Sequence, residues 1–359
     1  MNLNDARRLL VCLRYGIGDM IMEIPVLQTL RETAPRARIT ALGAAPAVEL
    51  LENSDLVDEI AVVQNFGLTH WMDPGTPEIQ SAIHQWLDQN RFNAALDISH
   101  AVEALRTVIW GREDVFLMDT LQMSGEDPVL TRGGRGQEAL RRAIGEGWGM
   151  RIPSDAVPRL FPTQEEAEWA EAFLADHGLY PDRTAAVSPV GSSRLKRWPE
   201  ERFAQLADRL IEEQGFSILI PAGPQLESAE AVRGAMRHRE RTAVVGPIHL
   251  RRVAALLDRC GLLVCNDTGL MHMAGAVNTP LVGIFGPTEP AIYLPESPIA
   301  RAVQAFVCPY RKRNTFGPSD CIMMDHCFRG DPCIQAVTLD SVTAAVREVT
   351  QPLKRRAYG

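Results

Sequence analysis

The sequence predicts an α/β protein built as two Rossmann-like domains, with parallel sheets facing one another across a cleft. Three observations carry that expectation. Apolar runs of four or five residues alternate with longer amphipathic stretches along the chain, the pattern of βα units. The rhythm breaks once, at Trp148–Pro162, where Pro153, Pro158 and Pro162 interrupt any periodicity, and then restarts. The length of 359 residues also suits two domains, each with its own core.

In chain order, the first half offers strands at Leu9–Leu13, Ile39–Leu42, Ile60–Val63 and Ala94–Ile98. A helix over Asp19–Thr33 carries Met20, Ile24, Leu27 and Leu30 on one face. Beyond the proline-rich linker, strands are expected at Ala185–Ser188, Ser217–Ile220, Ala243–Val245, Gly261–Cys265 and Leu281–Phe285. Helices are expected at Glu200–Glu213, Ser228–His238, Leu250–Arg259 and Leu270–Val277, with a last amphipathic helix from Thr338. The domains are therefore 1–160 and 161–337, followed by a C-terminal helix over 338–359 that could return to the N-terminal domain.

Composition narrows the function. The formal net charge is −8, and the whole surplus falls within residues 1–150. An acidic half gives no electrostatic footprint for nucleic acid or for an anionic membrane surface. The longest apolar runs fall far short of the ~20 residues that span a bilayer. The opening MNLNDARRLL has no secretory pattern. The expected location is cytoplasmic, with at most peripheral contact to the inner membrane. The chain has only three lysines, Lys196, Lys312 and Lys354, so each invites a reason.

Ligands of open α/β sheets bind beyond the carboxyl ends of strands, and three loops there carry chemistry. Arg14-Tyr15-Gly16-Ile17-Gly18-Asp19 turns tightly into a helix, with Asp19 at the N-cap position, where the helix dipole favours a carboxylate able to accept a proton. A plain capped turn explains the same residues. Pro189 to Pro199 gathers Gly191, Ser192, Ser193, Arg194, Lys196 and Arg197 ahead of a helix, a composition suited to a phosphate but lacking Walker A spacing. Asn266-Asp267-Thr268-Gly269 ends a buried strand and opens a small-residue helix whose amides would face an anion. Gly286-Pro287-Thr288-Glu289-Pro290 then follows the next strand.

R-x-G-x-GD (Arg14 to Asp19), GSSRLKRWP with ERFAQLADRL behind it, and NDTGLMH with its trailing FGPTEP together resemble glycosyltransferase family 9, the ADP-heptose:lipopolysaccharide heptosyltransferases. The resemblance spans nearly the whole chain. It implies a GT-B fold, an acceptor on the N-terminal domain and a sugar nucleotide on the C-terminal one. It also implies inversion at the anomeric carbon without an essential divalent metal. By position it makes Asp19 the general base and Ser192, Ser193 and Lys196 the pyrophosphate binders. Lys196 would neutralise the leaving group. Asp267, Thr268 and Gly269 match the loop under the diphosphate and sugar, with His272 on its helix, and Glu227 falls where a carboxylate meets the ribose or adenine.

Of seven cysteines, Cys308, Cys321, Cys327 and Cys333 crowd into 26 residues without any C-x2-C pair. A structural zinc or iron, unliganded thiols and disulfides all remain open there. The acidic N-terminal half fits a polyanionic acceptor poorly unless Arg7, Arg8, Arg132, Arg135, Arg141 and Arg142 form a local patch. The acceptor is thus a lipopolysaccharide core, a related glycan or a protein hydroxyl. A sugar-nucleotide epimerase and a non-catalytic binding subunit are the rivals from other classes.

Overall fold

The structure is a computed structural model, and it describes residues 6–68, 75–98, 108, 115–119, 145, 149–153, 155–306, 308 and 320–357. The chain divides into two compact units, Met1–Pro158 and Arg159–Gly359. Of the proposed basic patch, Arg132, Arg135, Arg141 and Arg142 lie outside the described residues.

The first unit contains β1 (Arg8–Cys12), α1 (Ile17–Thr33), β2 (Arg38–Gly43), β3 (Glu59–Val62), α2 (Pro77–Asn90), β4 (Ala94–Asp97) and β5 (Phe116–Asp119). Its five strands pair in the order β3-β2-β1-β4-β5, and every pair is parallel. Strand order reverses between β1 and β4, which opens a crevice at their carboxyl ends. α2 fills the amphipathic stretch between the third and fourth strands, burying Ile83 and Leu87, with Thr76 as its cap and Pro77 at its start. β5 was not expected from sequence. β5 is four residues long, next to acidic sequence.

The second unit runs α3 (Gln164–Asp176), β6 (Thr184–Ser188), α4 (Glu200–Gln214), β7 (Ser217–Pro221), α5 (Leu226–Ala235), β8 (Thr242–Val245), α6 (Leu250–Arg259), β9 (Leu262–Asn266), α7 (Gly269–Ala276), β10 (Leu281–Phe285), α8 (Pro290–Tyr293), β11 (Ala300–Gln304), α9 (Asp320–Met323) and α10 (Leu339–Ala357). The six parallel strands lie in the order β11-β10-β9-β6-β7-β8. This is a doubly wound sheet with its switch point between β6 and β9. β6, β7, β9 and β10 are buried at every position, as strands covered on both faces must be.

The edge strand β11 was not expected from sequence; the half-exposed Arg301 and Gln304 disguise it. The last helix uses its apolar face within the second unit: Val342, Val346 and Val349 join the core with Val303, Ile284 and Leu210.

Candidate active site

The switch point of the second sheet joins the loops after β6 and β9. Asn266, the last residue of β9, is fully buried and ties them together. Its Oδ1 accepts the Trp198 backbone N–H at 3.0 Å, and its Nδ2 donates to the Pro189 and Val190 carbonyls at 2.8 and 3.1 Å. Trp198 anchors the far end of the loop, its indole donating to the Val337 carbonyl at 2.9 Å. At the near end, Gln225 brackets Gly191, accepting its N–H and donating to its carbonyl, both at 3.2 Å. The loop after β6 is thus fixed along its length before any ligand arrives.

Held this way, Lys196 reaches Asp267. Its Nζ lies 2.8 Å from Asp267 Oδ2, with both side chains largely shielded, and 5.9 Å from the centre of the Tyr293 ring. Thr268, not Asp267, is the N-cap of α7, and its side chain makes no capping bond. Thr268 Oγ1 is buried with no nitrogen or oxygen partner among the described residues, its neighbour there being the weakly bonding Cys265 thiol. A buried hydroxyl with only a thiol beside it keeps bonding capacity that a stronger ligand atom could use. Behind it, burial and the Asp267 charge push the Cys265 thiol far up, so it is an inert apolar support. An ammonium, a helix start and a hydroxyl thus meet at one switch point, groups of the kind that suit an anion.

The other predicted residues divide. Ser192 is exposed at the loop tip. Ser193 is engaged from elsewhere in the unit: its hydroxyl donates to Asp325 Oδ1 at 3.2 Å and accepts the Leu195 N–H at 3.2 Å. Asp325 also takes Arg194 Nε at 3.2 Å. Glu227 is exposed in the first turn of α5, one loop further along the same sheet edge. His272 is buried on α7. Sequence reasoning missed Asp325, a non-local contact with no local signal. It also gave Asn266 no role, although a polar side chain ending an apolar strand was a legible cue.

In the first unit, Gly16 is the N-cap of α1 and Asp19 the third residue of its first turn, which corrects the expected cap. The carboxylate still stands at the positive end of the helix. Gly16 makes room for it, since a Cβ there would collide with Asp19 Oδ2. One turn on, Glu23 is fully buried, with Arg14 Nε 3.2 Å from its Oε1 and the Arg14 N–H donating to its Oε2 at 3.1 Å. Burial lifts the Glu23 carboxyl to about 8; Arg14 opposes the lift, while Asp19 and Asp97 add to it.

Cys308, Cys321, Cys327 and Cys333 do come together, lining one small pocket with Leu195, Pro287, Phe328 and Pro332. All are free thiols, so the disulfide alternative falls away. Burial raises Cys321 and pushes Cys333 up to about 11. Among the described residues, no three His, Cys, Asp or Glu side chains form a set that would hold a metal ion.

Two doubly wound sheets, one with a carboxylate and one with an ammonium and a helix start at its switch point, are the architecture of a two-domain transferase. The profile of "Glycosyltransferase family 9 (heptosyltransferase)" matches residues 154–320. The chain is 36% identical over 307 residues to "Lipooligosaccharide heptosyltransferase 2" of Haemophilus ducreyi, covering 78% of this chain and 84% of that protein. The glycosyltransferase family 9 structure from Veillonella parvula superposes with a TM-score of 0.78 at 21% identity, covering 97% of this chain and 98% of that one. "E. coli ADP-heptose lps heptosyltransferase II" superposes at 0.70 and 20%, covering 97% and 99%. The chain belongs to glycosyltransferase family 9: it is a glycosyltransferase with the GT-B-type fold of the solved heptosyltransferases. Among the described residues no helix is long and apolar enough to cross a membrane.

Proposed function

We propose that this enzyme transfers heptose from ADP-heptose to a hydroxyl of a lipopolysaccharide-core acceptor, with inversion at the anomeric carbon. The observation that carries it is Lys196 held 2.8 Å from Asp267 beside the buried Thr268 hydroxyl at the start of α7. The diphosphate of the donor lies against Lys196, Thr268, Gly269 and the exposed Ser192, with Ser193 joining when Asp325 gives way. Glu227 reaches the ribose or adenine, and His272 supports α7 from within. The acceptor oxygen forms the new bond to C1 on the face opposite the diphosphate as its proton passes to Asp19. The C1–O bond to phosphate breaks, its electron pair leaves with ADP, and Lys196 offsets the charge that develops there. Asp19 and Lys196 act in the transition state more than in the ground state, where the charges they meet have yet to develop.

The test is Asp19→Ala assayed with ADP-heptose and a heptose-acceptor lipid. Turnover should fall by roughly 10²-fold or more, as for a lost general base, with ADP affinity retained. Unchanged turnover removes Asp19 from the mechanism, and transfer to a protein serine but not to lipid moves the acceptor assignment.

A structural role is proposed for the cysteines. Four thiols lining one pocket against Leu195 support a site where zinc or iron, once bound, would brace the nucleotide loop without entering the chemistry. The groups are not drawn into a metal-holding set as they stand, so loading must bring them inward. Metal analysis of protein purified without chelators should show about one equivalent; metal-free protein of full activity and unchanged melting temperature rejects the site.

A further inference from the structure

Glu23 takes no part in the chemistry above, yet it occupies a demanding position. It lies on the same face of α1 as Asp19, four residues on, and its side chain is wholly removed from solvent. Its contacts bear on the loop that carries Asp19. Oε2 holds the backbone N–H of Arg14, the residue at the mouth of that loop, and Oε1 faces Arg14 Nε at 3.2 Å. The Arg14 guanidinium is itself nearly buried, and its Nη2 finds no hydrogen-bond partner among the described residues. A buried arginine with spare donors and a buried carboxyl with a spare acceptor make an arrangement costly for stability alone.

We propose that Glu23 is the positioning residue of the acceptor-side base: by fixing Arg14 from below, it sets where the Asp19 carboxylate stands. The inference rests on the reading of Asp19 as the base. The charged groups facing Glu23 are Arg14 from the β1–α1 loop, Asp19 from its own helix and Asp97 from the end of β4. With its proton on, Glu23 sits in this interior without adding a further negative charge beside Asp19 and Asp97. With the proton off, the carboxylate gains by moving toward water, and Arg14 and the loop move with it. A base displaced by ~1 Å can lose as much as 10² in rate.

The experiment compares wild type, Glu23→Gln, Glu23→Ala and Asp19→Asn between pH 6 and 9, reading kcat, acceptor KM and ADP affinity. Wild-type kcat should fall on passing about pH 8, where Glu23 ionises. Glu23→Gln, which keeps the shape and cannot ionise, should remove that fall. Glu23→Ala should lower kcat at least tenfold while ADP affinity stays put, because the nucleotide site lies in the other unit. Superimposable profiles for wild type and Glu23→Gln would overturn the proposal, even if Glu23→Ala fails to fold. Near-normal turnover in Asp19→Asn would instead sink the underlying assignment of the base. An inactive Asp19→Asn beside wild-type-like Glu23 variants would sink this inference alone.

Discussion

Substituting Lys196 should have two separable consequences, and the structure gives a size to each. Lys196 and Asp267 are 15% and 5% exposed and 2.8 Å apart, so Lys196→Ala strands a carboxylate that is almost out of water. Breaking a buried pair from one side costs about 3–5 kcal/mol, and the residual exposure of the lysine argues for the lower end, about 3 kcal/mol. For a unit of this size each kcal/mol moves the melting temperature by about 2–4 °C, so the shift should be about 6–12 °C. Removing the stranded charge as well, in Lys196→Met with Asp267→Asn, should return most of that loss. Transfer should not return, because the ammonium that meets the departing diphosphate is still missing; a drop of about 10²–10³-fold is the scale for losing one such donor. Calorimetry without nucleotide and an ADP-release assay read the two effects. If the double variant regains turnover along with stability, the pair is structural and Lys196 does not serve the leaving group. If Lys196→Ala neither melts earlier nor slows, the geometry at the switch point has been misjudged.

Glu23→Gln should also change how stability depends on pH. The folded-state value near 8 exceeds the ordinary 4.5, so the native protein binds more protons than the unfolded chain between those limits, and wild-type stability declines as pH rises through the window. At about 1.4 kcal/mol per pH unit, the variant should gain about 3 kcal/mol relative to wild type between pH 5 and 7.5; parallel urea titrations at the two values check it, and a constant difference contradicts the buried, protonated carboxyl. Gly16→Ala tests the base by shape alone. Gly16 has φ −82°, which alanine adopts freely, so the added methyl acts through its collision with Asp19 Oδ2. Turnover should fall about 10–10²-fold with melting and ADP affinity preserved, and full activity would show that the Asp19 position is not critical.

The fold was legible wherever a strand is buried on both faces. LVGIF and LLVC announce themselves because nothing polar can sit there, and the loops that follow were therefore locatable. β11 was hidden because an edge strand tolerates Arg301 and Gln304. The same physics governs the site. Asp19, Lys196 and Thr268 are readable since they lie in short polar loops at strand ends. Their partners are readable only when the partner is local. Lys196 meets Asp267 across 71 positions and Ser193 meets Asp325 across 132, separations that no spacing rule encodes.

Glu23 sits between these cases, and it shows what a sequence pattern discards. In MIMEIPVL a single carboxyl interrupts an otherwise apolar run on α1. Amphipathicity invites the eye to place it on the wet side of the helix, yet positions 20, 23, 24 and 27 share the buried face, and Glu23 is as buried as the leucine beyond it. A charge-bearing residue held where solvation is lost must be neutral, paired or useful. Here the arginine that pairs with it, Arg14, also begins the loop bearing Asp19. A carboxyl out of place in an apolar stripe, close in sequence to a candidate catalytic carboxylate, is thus a signal available before any coordinates. Its physical content is that the cost of burying an acid can be offset by fixing the group that reacts.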